Sequence, residues 1–357
     1  MRRIMILTLA GLILAGAISA CGEAEQEVTS SASTRDKLTR AELIARVRPA
    51  IAKVFVETPL GKFSGSAVTI DAEKGHLLTS DHVVAGAARI ELQFSGRRER
   101  ISARVVGRSL CPDLALLELD DIPAGGLSAL PFADSSEVEV GDTVAVVGFE
   151  ANVRRWGQAT ARVAFGTVGD KDIRNADLGP EIGPQGRLML TDAAVNHGSS
   201  GGAMVTEDGE VASITTLRGG GSGQGYGIQA DVVREALPDL KAGESGTGLE
   251  AVPVGSVPIA PLLLAAYGDQ GLTRSGARVL EQSVYRRGGM FVLGVEAGSP
   301  ADRRGLEFGD IVVHMNGLKL KDQTTHCRIV GSSRVVKVEG YELLTGGTEF
   351  TRRLTVK

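Results

Sequence analysis

Aromatic side chains are scarce in this sequence, 4% of 357 residues with a single tryptophan. Cysteine is scarcer still, limited to Cys21, Cys111 and Cys327. The histidines, His76, His82, His197, His314 and His326, are scattered. No Cys or His spacing has the short paired rhythm of a zinc site, so neither a metal nor another cofactor is expected. Excess positive charge is also missing: 39 basic against 43 acidic residues give a net charge of −4, which argues against a nucleic-acid partner. Long apolar runs are absent except near the N-terminus, where Ile4–Ala17 is short for a membrane span. Glycine, by contrast, is plentiful at 47 residues. Few aromatics, many glycines and 43% hydrophobic content suit short strands joined by tight turns, in a chain long enough for two ordinary domains.

Arg2 and Arg3 precede the apolar run, and Ile18-Ser19-Ala20-Cys21 follows it, the layout of a secretory signal over residues 1–20. Ending at a cysteine, it resembles the lipobox of bacterial lipoproteins. That resemblance implies cleavage before Cys21, a lipid on its sulfur, and a membrane surface facing the periplasm or exterior. Losing two arginines and no acid makes the remainder more acidic by two charges. Residues 21–37 are polar and unpatterned, as a tether should be. Cys111 and Cys327 fall in different predicted domains, so two separate thiols are expected although an oxidising compartment would permit pairing.

Leu43, Ile44, Val47 and Ile51 recur at helical spacing, which predicts a helix over Leu38–Ala52. From Val54 to about Ala230 the pattern changes to short Val- and Ile-rich runs between Gly, Asp and Pro. Examples are Ser66–Ile70, Ile90–Phe94, Ala115–Leu119, Thr143–Gly148, Leu188–Thr191 and Glu210–Thr215. Such spacing predicts a closed or sandwiched all-β unit, with a helix over Ala230–Leu240 closing it at residue 240. Residues 241–258 read as a linker, and 259–357 as a smaller strand-and-helix module.

Three segments carry chemistry. Gly198-Ser199-Ser200-Gly201-Gly202 offers a tight turn in which Ser200 is a candidate nucleophile and the Gly198 and Ser200 N–H groups a candidate oxyanion hole. Taken alone, it also reads as a flexible hairpin loop. His82 follows the apolar run Leu77-Leu78-Thr79, a rigid place for a general base. Asp113 enters the run Leu114–Leu117, where an acid packs poorly unless a partner such as a histidine N–H is buried with it. The order His, Asp, Ser is that of the chymotrypsin class, with His82 and Asp113 in an N-terminal barrel and Ser200 in a C-terminal one.

Gly65–Ile70 with Leu78–Val84, Asp113–Leu117, Thr191–Ala203 and Gly225–Ala230 resemble, in order, the histidine, aspartate, serine and cleft-strand motifs of the HtrA/Deg serine proteases. The resemblance covers roughly 43–240. It departs from the family at Ala67, where glycine is usual, at Ser199, where asparagine is common, and at His197, a variable position. The short Glu57–Phe63 stretch leaves no room for a long regulatory loop. Gly298-Ser299-Pro300-Ala301, Gly305-Leu306, Gly309-Asp310 and Asn316-Gly317 look like a PDZ domain of the protease-associated kind, with Ser299 capping a helix that has Pro300 at its first position and is ended by Gly305. A groove-walling helix is expected near Asp322–Val330 despite weak formers, and a carboxylate-binding loop at Leu264–Gly268.

The resemblance therefore implies a mainly β chain: a chymotrypsin-like double β-barrel over 38–240, followed by a small PDZ-like α+β domain. It implies a serine endopeptidase of the cell envelope acting on misfolded or regulatory proteins, assembled as a homotrimer, with C-terminal peptides as possible PDZ ligands. Trypsin-like enzymes select Lys or Arg with an acid six residues before the nucleophile. Here that position is Ala194, and with Ile228 as pocket wall the expected cleavage is after small or medium aliphatic residues. Asp192, nearby, reads as structural. The competing reading is an inactive, protease-like chaperone or peptide-binding scaffold.

Overall fold

The computed structural model describes residues 38–58, 61–151, 159–174, 186–218, 224–243, 246–345 and 347–356. The leader, Cys21 and the tether lie outside the described residues. Among those that are described, no helix is long and apolar enough to cross a membrane.

Thr39 starts helix α1 (Arg40–Val47) with a reciprocal capping box: its side chain accepts from the Glu42 N–H, and the Glu42 carboxylate accepts from the Thr39 N–H. A 3-10 turn, Arg48–Ala50, then feeds the first strand. Strands β1 (Ile51–Thr58), β2 (Gly61–Asp71), β3 (His76–Thr79), β4 (Arg89–Phe94), β5 (Ile101–Leu110) and β6 (Asp113–Leu119) close a barrel in the order β1-β2-β3-β6-β5-β4. The one-turn helix α2 (Asp81–Val84) follows β3. A second barrel, in the order β10-β11-β12-β9-β8-β7, comprises β7 (Thr143–Gly148), β8 (Arg162–Ile173), β9 (Leu188–Thr191), β10 (Ala203–Thr206), β11 (Val211–Arg218) and β12 (Gly225–Gln229). Helix α3 (Ala230–Lys241) comes next.

The near-continuous apolar runs follow from this pair of barrels. On β3 and β6, Leu77 and Leu117 fill the first barrel, while Leu78 and Leu116 point into the seam between barrels. On β7, Val146 fills the second barrel and Val147 the seam. Side chains alternate across a strand, so a strand buried on both faces must be apolar at successive positions. Each fully buried leucine is worth about 1.5–3 kcal/mol. The seam matters for function because it is where segments of the two barrels meet.

The third sheet runs β13-β14-β15-β17-β18, from β13 (Leu249–Pro253), β14 (Met290–Val295), β15 (Asp310–Met315), β17 (Val335–Glu342) and β18 (Thr348–Thr355), with β16 (Leu318–Lys319) against β15. Helices α4 (Ile259–Tyr267) and α5 (Arg274–Arg287) intervene between β13 and β14. Helix α6 (Gln323–Ser332) forms at the expected place: the Asp322 carboxylate accepts from the Thr325 N–H at 2.7 Å, a cap that offsets the weak formers.

Three expectations are corrected here. The 241–258 segment is not purely linker, since Leu249–Pro253 is an edge strand of the third sheet. Leu264–Gly268 is not a loop; it forms the end of α4 and the start of a 3-10 turn. Cys111 and Cys327 are joined in a disulfide, their Cα atoms 5.7 Å apart across a sequence separation of 216. Helix α6 packs on the β5–β6 turn, which brings the two cysteines together, and Arg108 on β5 ion-pairs with Glu250 on β13 nearby. Separation in sequence did not keep the units apart in space.

Candidate active site

Strand pairing places the first two functional residues. β3 and β6 are antiparallel, with Thr79 opposite Ala115, so the start of α2 lies beside the start of β6. His82 donates its backbone N–H to Asp113 Oδ1 at 2.8 Å, and its ring Nδ1 lies 2.7 Å from Oδ2. Asp113 is 5% exposed. A third donor, the Thr216 hydroxyl on β11, reaches Oδ2 at 2.6 Å from the other barrel. Burial works against an ionised Asp113. It is outweighed by the charge and hydrogen bonds of His82 together with the Thr216 hydroxyl, which hold the carboxyl below its usual value. Burial likewise opposes a charged His82, yet the adjacent carboxylate, with Asp81 behind it, raises the imidazole above its ordinary value. With Nδ1 turned to the acid, the ring's other edge faces the cleft that His82 and Ser200 both line.

The serine turn is built from both barrels. Ser66 on β2 donates its hydroxyl to the Gly198 carbonyl at 2.7 Å and accepts the Phe149 N–H at 2.8 Å. The Ser66 N–H bonds the Ser200 carbonyl at 2.8 Å. Glycine is required on both sides of the serine: Gly198 has φ +97° and Gly201 φ +81°, and a Cβ on Gly198 would meet the Phe149 carbonyl at 2.8 Å. The His197 carbonyl accepts from the Ala151 N–H at 2.7 Å. In a planar trans peptide the Gly198 N–H must then point the opposite way. Among the described residues, no hydrogen bond occupies the Gly198 or Ser200 N–H, as an anion cradle requires. The Ser200 hydroxyl itself rests on the Thr216 carbonyl at 3.3 Å.

Gly198–Gly202 also spells the G-x-S-x-G letters of an α/β-hydrolase elbow. Here, however, the serine lies between β9 and β10, with a strand rather than a helix after it.

The pocket expectation changes in one residue. Ile228 is fully buried in the seam core, cross-strand from Leu188 and Ile214, and serves packing. The opposite face of β12 carries Gly225 and Gly227, where a Cβ would lie 2.7 Å from Val195 Cβ and 2.9 Å from Ser213 Cβ respectively. Ala194 is exposed. Asp192 accepts from the Thr167 N–H at 2.6 Å, a structural bond. Sequence reasoning missed Ser66 and Thr216. Each is a buried hydroxyl inside an apolar strand, a visible anomaly, but nothing in the sequence names its distant partner.

Residues 65–214 match the family described as trypsin-like peptidase domain. The chain is 32% identical over 261 residues to a probable periplasmic serine protease do/HhoA-like of Haemophilus influenzae, covering 72% of this chain and 50% of that one. It is 30% identical over 257 residues to the periplasmic serine endoprotease DegP of Escherichia coli, covering 71% and 48%. The chain thus spans about half the length of the curated relatives it matches. Among solved structures, an HtrA-type protease AlgW with tripeptide superposes with a TM-score of 0.51 at 24% identity, over 89% of this chain and 96% of the other. A serine endoprotease from Yersinia pestis gives 0.50 at 21%, over 89% and 97%. These structural likenesses bear on the fold alone.

Proposed function

The chain belongs to the HtrA/Deg family of trypsin-like serine proteases, and on that premise we propose that it is an endopeptidase in which Ser200 is the nucleophile, His82 the general base and Asp113 the orienting acid. The observation that carries this reading is the hydrogen-bonded His82–Asp113 pair opening onto the same cleft as Ser200.

In the proposed reaction the Ser200 hydroxyl turns from the Thr216 carbonyl to His82 Nε2, gives up its proton, and attacks the substrate carbonyl. The oxyanion is received by the Gly198 and Ser200 N–H groups, a donor pair typically worth about 3 kcal/mol per member. His82 then passes the proton to the leaving amine, the acyl-enzyme forms, and water reverses the sequence with His82 again as base. Asp113 fixes the tautomer and stabilises the imidazolium. Ala194 with Gly225 and Gly227 favours small or medium aliphatic residues before the scissile bond, since none of these three positions offers a carboxylate to pair with a buried cation.

By resemblance the enzyme works in the cell envelope on misfolded or regulatory proteins, held to the membrane by lipid on Cys21 and assembled as a trimer. The third sheet is read as a PDZ-like module able to take C-terminal peptides along an edge strand. The test is degradation of an unfolded protein by the full chain. Wild type should cleave it and Ser200→Ala should not; equal turnover by both would refute the reading.

A further inference from the structure

Beside Ser200 lies a cleft of ≈ 1260 Å³, large enough for several residues of an extended peptide. Its lining is lopsided in charge. Among the described residues, Arg48, Lys53, Lys62, Arg100 and Arg162 face it, against the single acid Glu150. Three of these cations have partners: Lys62 with Glu57, Arg100 with Glu91 at 3.5 Å, and Arg162 with Glu150 at 3.2 Å. Among the described residues, Arg48 and Lys53 have no carboxylate, and the Arg48 Nε is buried without a hydrogen-bond partner.

Lys53 is the most telling. It alternates on β1 with Val54 and Val56, which fill the barrel, so Lys53 and Phe55 share the outer face. The Arg100 guanidinium sits 3.7 Å from the Phe55 ring centre and the Lys53 ammonium 5.3 Å from the same point. Two like charges are thus held over one ring. Burial, and then repulsion from Arg100, push the Lys53 ammonium below its ordinary value. An anion entering here relieves that crowding, whereas a cation adds to it.

The cleft's position relative to the scissile bond follows from the chemistry. On the proposed reading the acyl half of a substrate lies toward Ala194, Gly225 and Gly227, none of which lines the cleft. The leaving amine must be within reach of His82, which gives it a proton, and His82 does line the cleft. The cleft therefore receives the leaving-group half.

Resting on the endopeptidase reading, we propose that this cationic cleft selects substrates carrying Asp or Glu side chains within the first few residues after the scissile bond, with Lys53 and Arg48 as the residues that set the preference.

The experiment uses three quenched fluorescent peptides identical up to the scissile bond, with Glu, Ala or Lys at the second and third positions after it. For the full chain at low salt, kcat/KM should be roughly tenfold higher for the Glu than for the Lys peptide, and the gap should shrink as ionic strength screens the cleft. Lys53→Glu should abolish or invert the order. Arg48→Gln, on a turn outside the strands, should narrow it if the strand variant fails to fold. Equal rates for the three peptides, or an order indifferent to salt and to both variants, would overturn the proposal while leaving the endopeptidase reading intact. If no peptide is cut, the reading of the triad fails separately. Binding of the same peptides to Ser200→Ala, followed by fluorescence anisotropy, still decides the cleft: tighter binding of the Glu peptide supports the proposal, and equal binding overturns it.

Discussion

Replacing Thr216 by valine keeps the branched shape of the side chain and removes one hydroxyl. That hydroxyl donates at 2.6 Å to a carboxylate that is 5% exposed, so no solvent is at hand to replace it. A hydrogen bond to a charged, buried group contributes about 1.5–3 kcal/mol. Part of this loss appears as stability. The rest appears in catalysis, because the ionised carboxylate is needed most when His82 carries its proton, and a shortfall of 1.4 kcal/mol in the transition state is about tenfold in rate. Thr216→Val is therefore expected to lower kcat/KM by about ten- to a hundredfold with KM little changed. It should also move the acidic limb of the pH profile slightly upward, since Asp113 stays ionised there and, freed of a competing donor, accepts more strongly from the His82 imidazolium. Thr216→Ser, which keeps the hydroxyl, should restore most of both. The assay is kcat/KM against pH for the three proteins, with thermal melts alongside. A Thr216→Val enzyme that melts earlier yet keeps the wild-type rate and profile would show that the hydroxyl serves packing alone.

The imidazole of His82 is raised above 6.5, so the acidic limb of wild-type kcat/KM should lie above that pH; Asp113→Asn should bring it down and cost about 10⁴ in kcat, as measured by a pH–rate profile. In stability the two members act oppositely. The His82 contribution is lost as pH rises through its raised value, whereas that of Asp113 is present above 3.8 and lost on acidification through its lowered one, a difference readable in denaturant midpoints against pH. His326 is held neutral by burial, its value lowered to about 4. Unfolded chain binds the extra proton between 6.5 and there, so stability should fall by roughly 3 kcal/mol as the pH is lowered from 6.5 to about 4, and His326→Leu should flatten the slope in the same titration. Closing a loop that spans a sequence separation of 216 removes about 5 kcal/mol of chain entropy from the unfolded state in the simplest treatment, so Cys111→Ser should lower the melting temperature markedly and make it insensitive to reductant.

The barrels were legible because strands buried on two faces leave apolar runs such as Leu114–Leu117 bounded by turn residues. The His82, Asp113 and Ser200 segments were legible because each places a polar group where packing alone disfavours it. What resisted reading was pairing between distant segments. Cys327 and Cys111 appear unrelated until α6 is seated on the β5–β6 turn. The linker strand Leu249–Pro253 is short and contains Glu250 and Pro253, so it has little alternation of its own, and its β character comes from β14 beside it. Helix α5 has Gly276 in its first turn and a charged outer face, which masked its few buried positions, Ala277 and Val284. Ile228 lies one residue from the face that Gly225 and Gly227 occupy. In a strand, a shift of one residue exchanges core for pocket, and Gly225 and Gly227 have no side chain to signal which face is which.

Active-site phosphonylation bears most directly on whether Ser200 is activated by His82 and Asp113. The full chain should react with a fluorophosphonate to give a single adduct that peptide mapping assigns to Ser200, lost in Ser200→Ala and strongly slowed in His82→Ala. An adduct on another serine, or an unchanged rate in His82→Ala, would contradict the account.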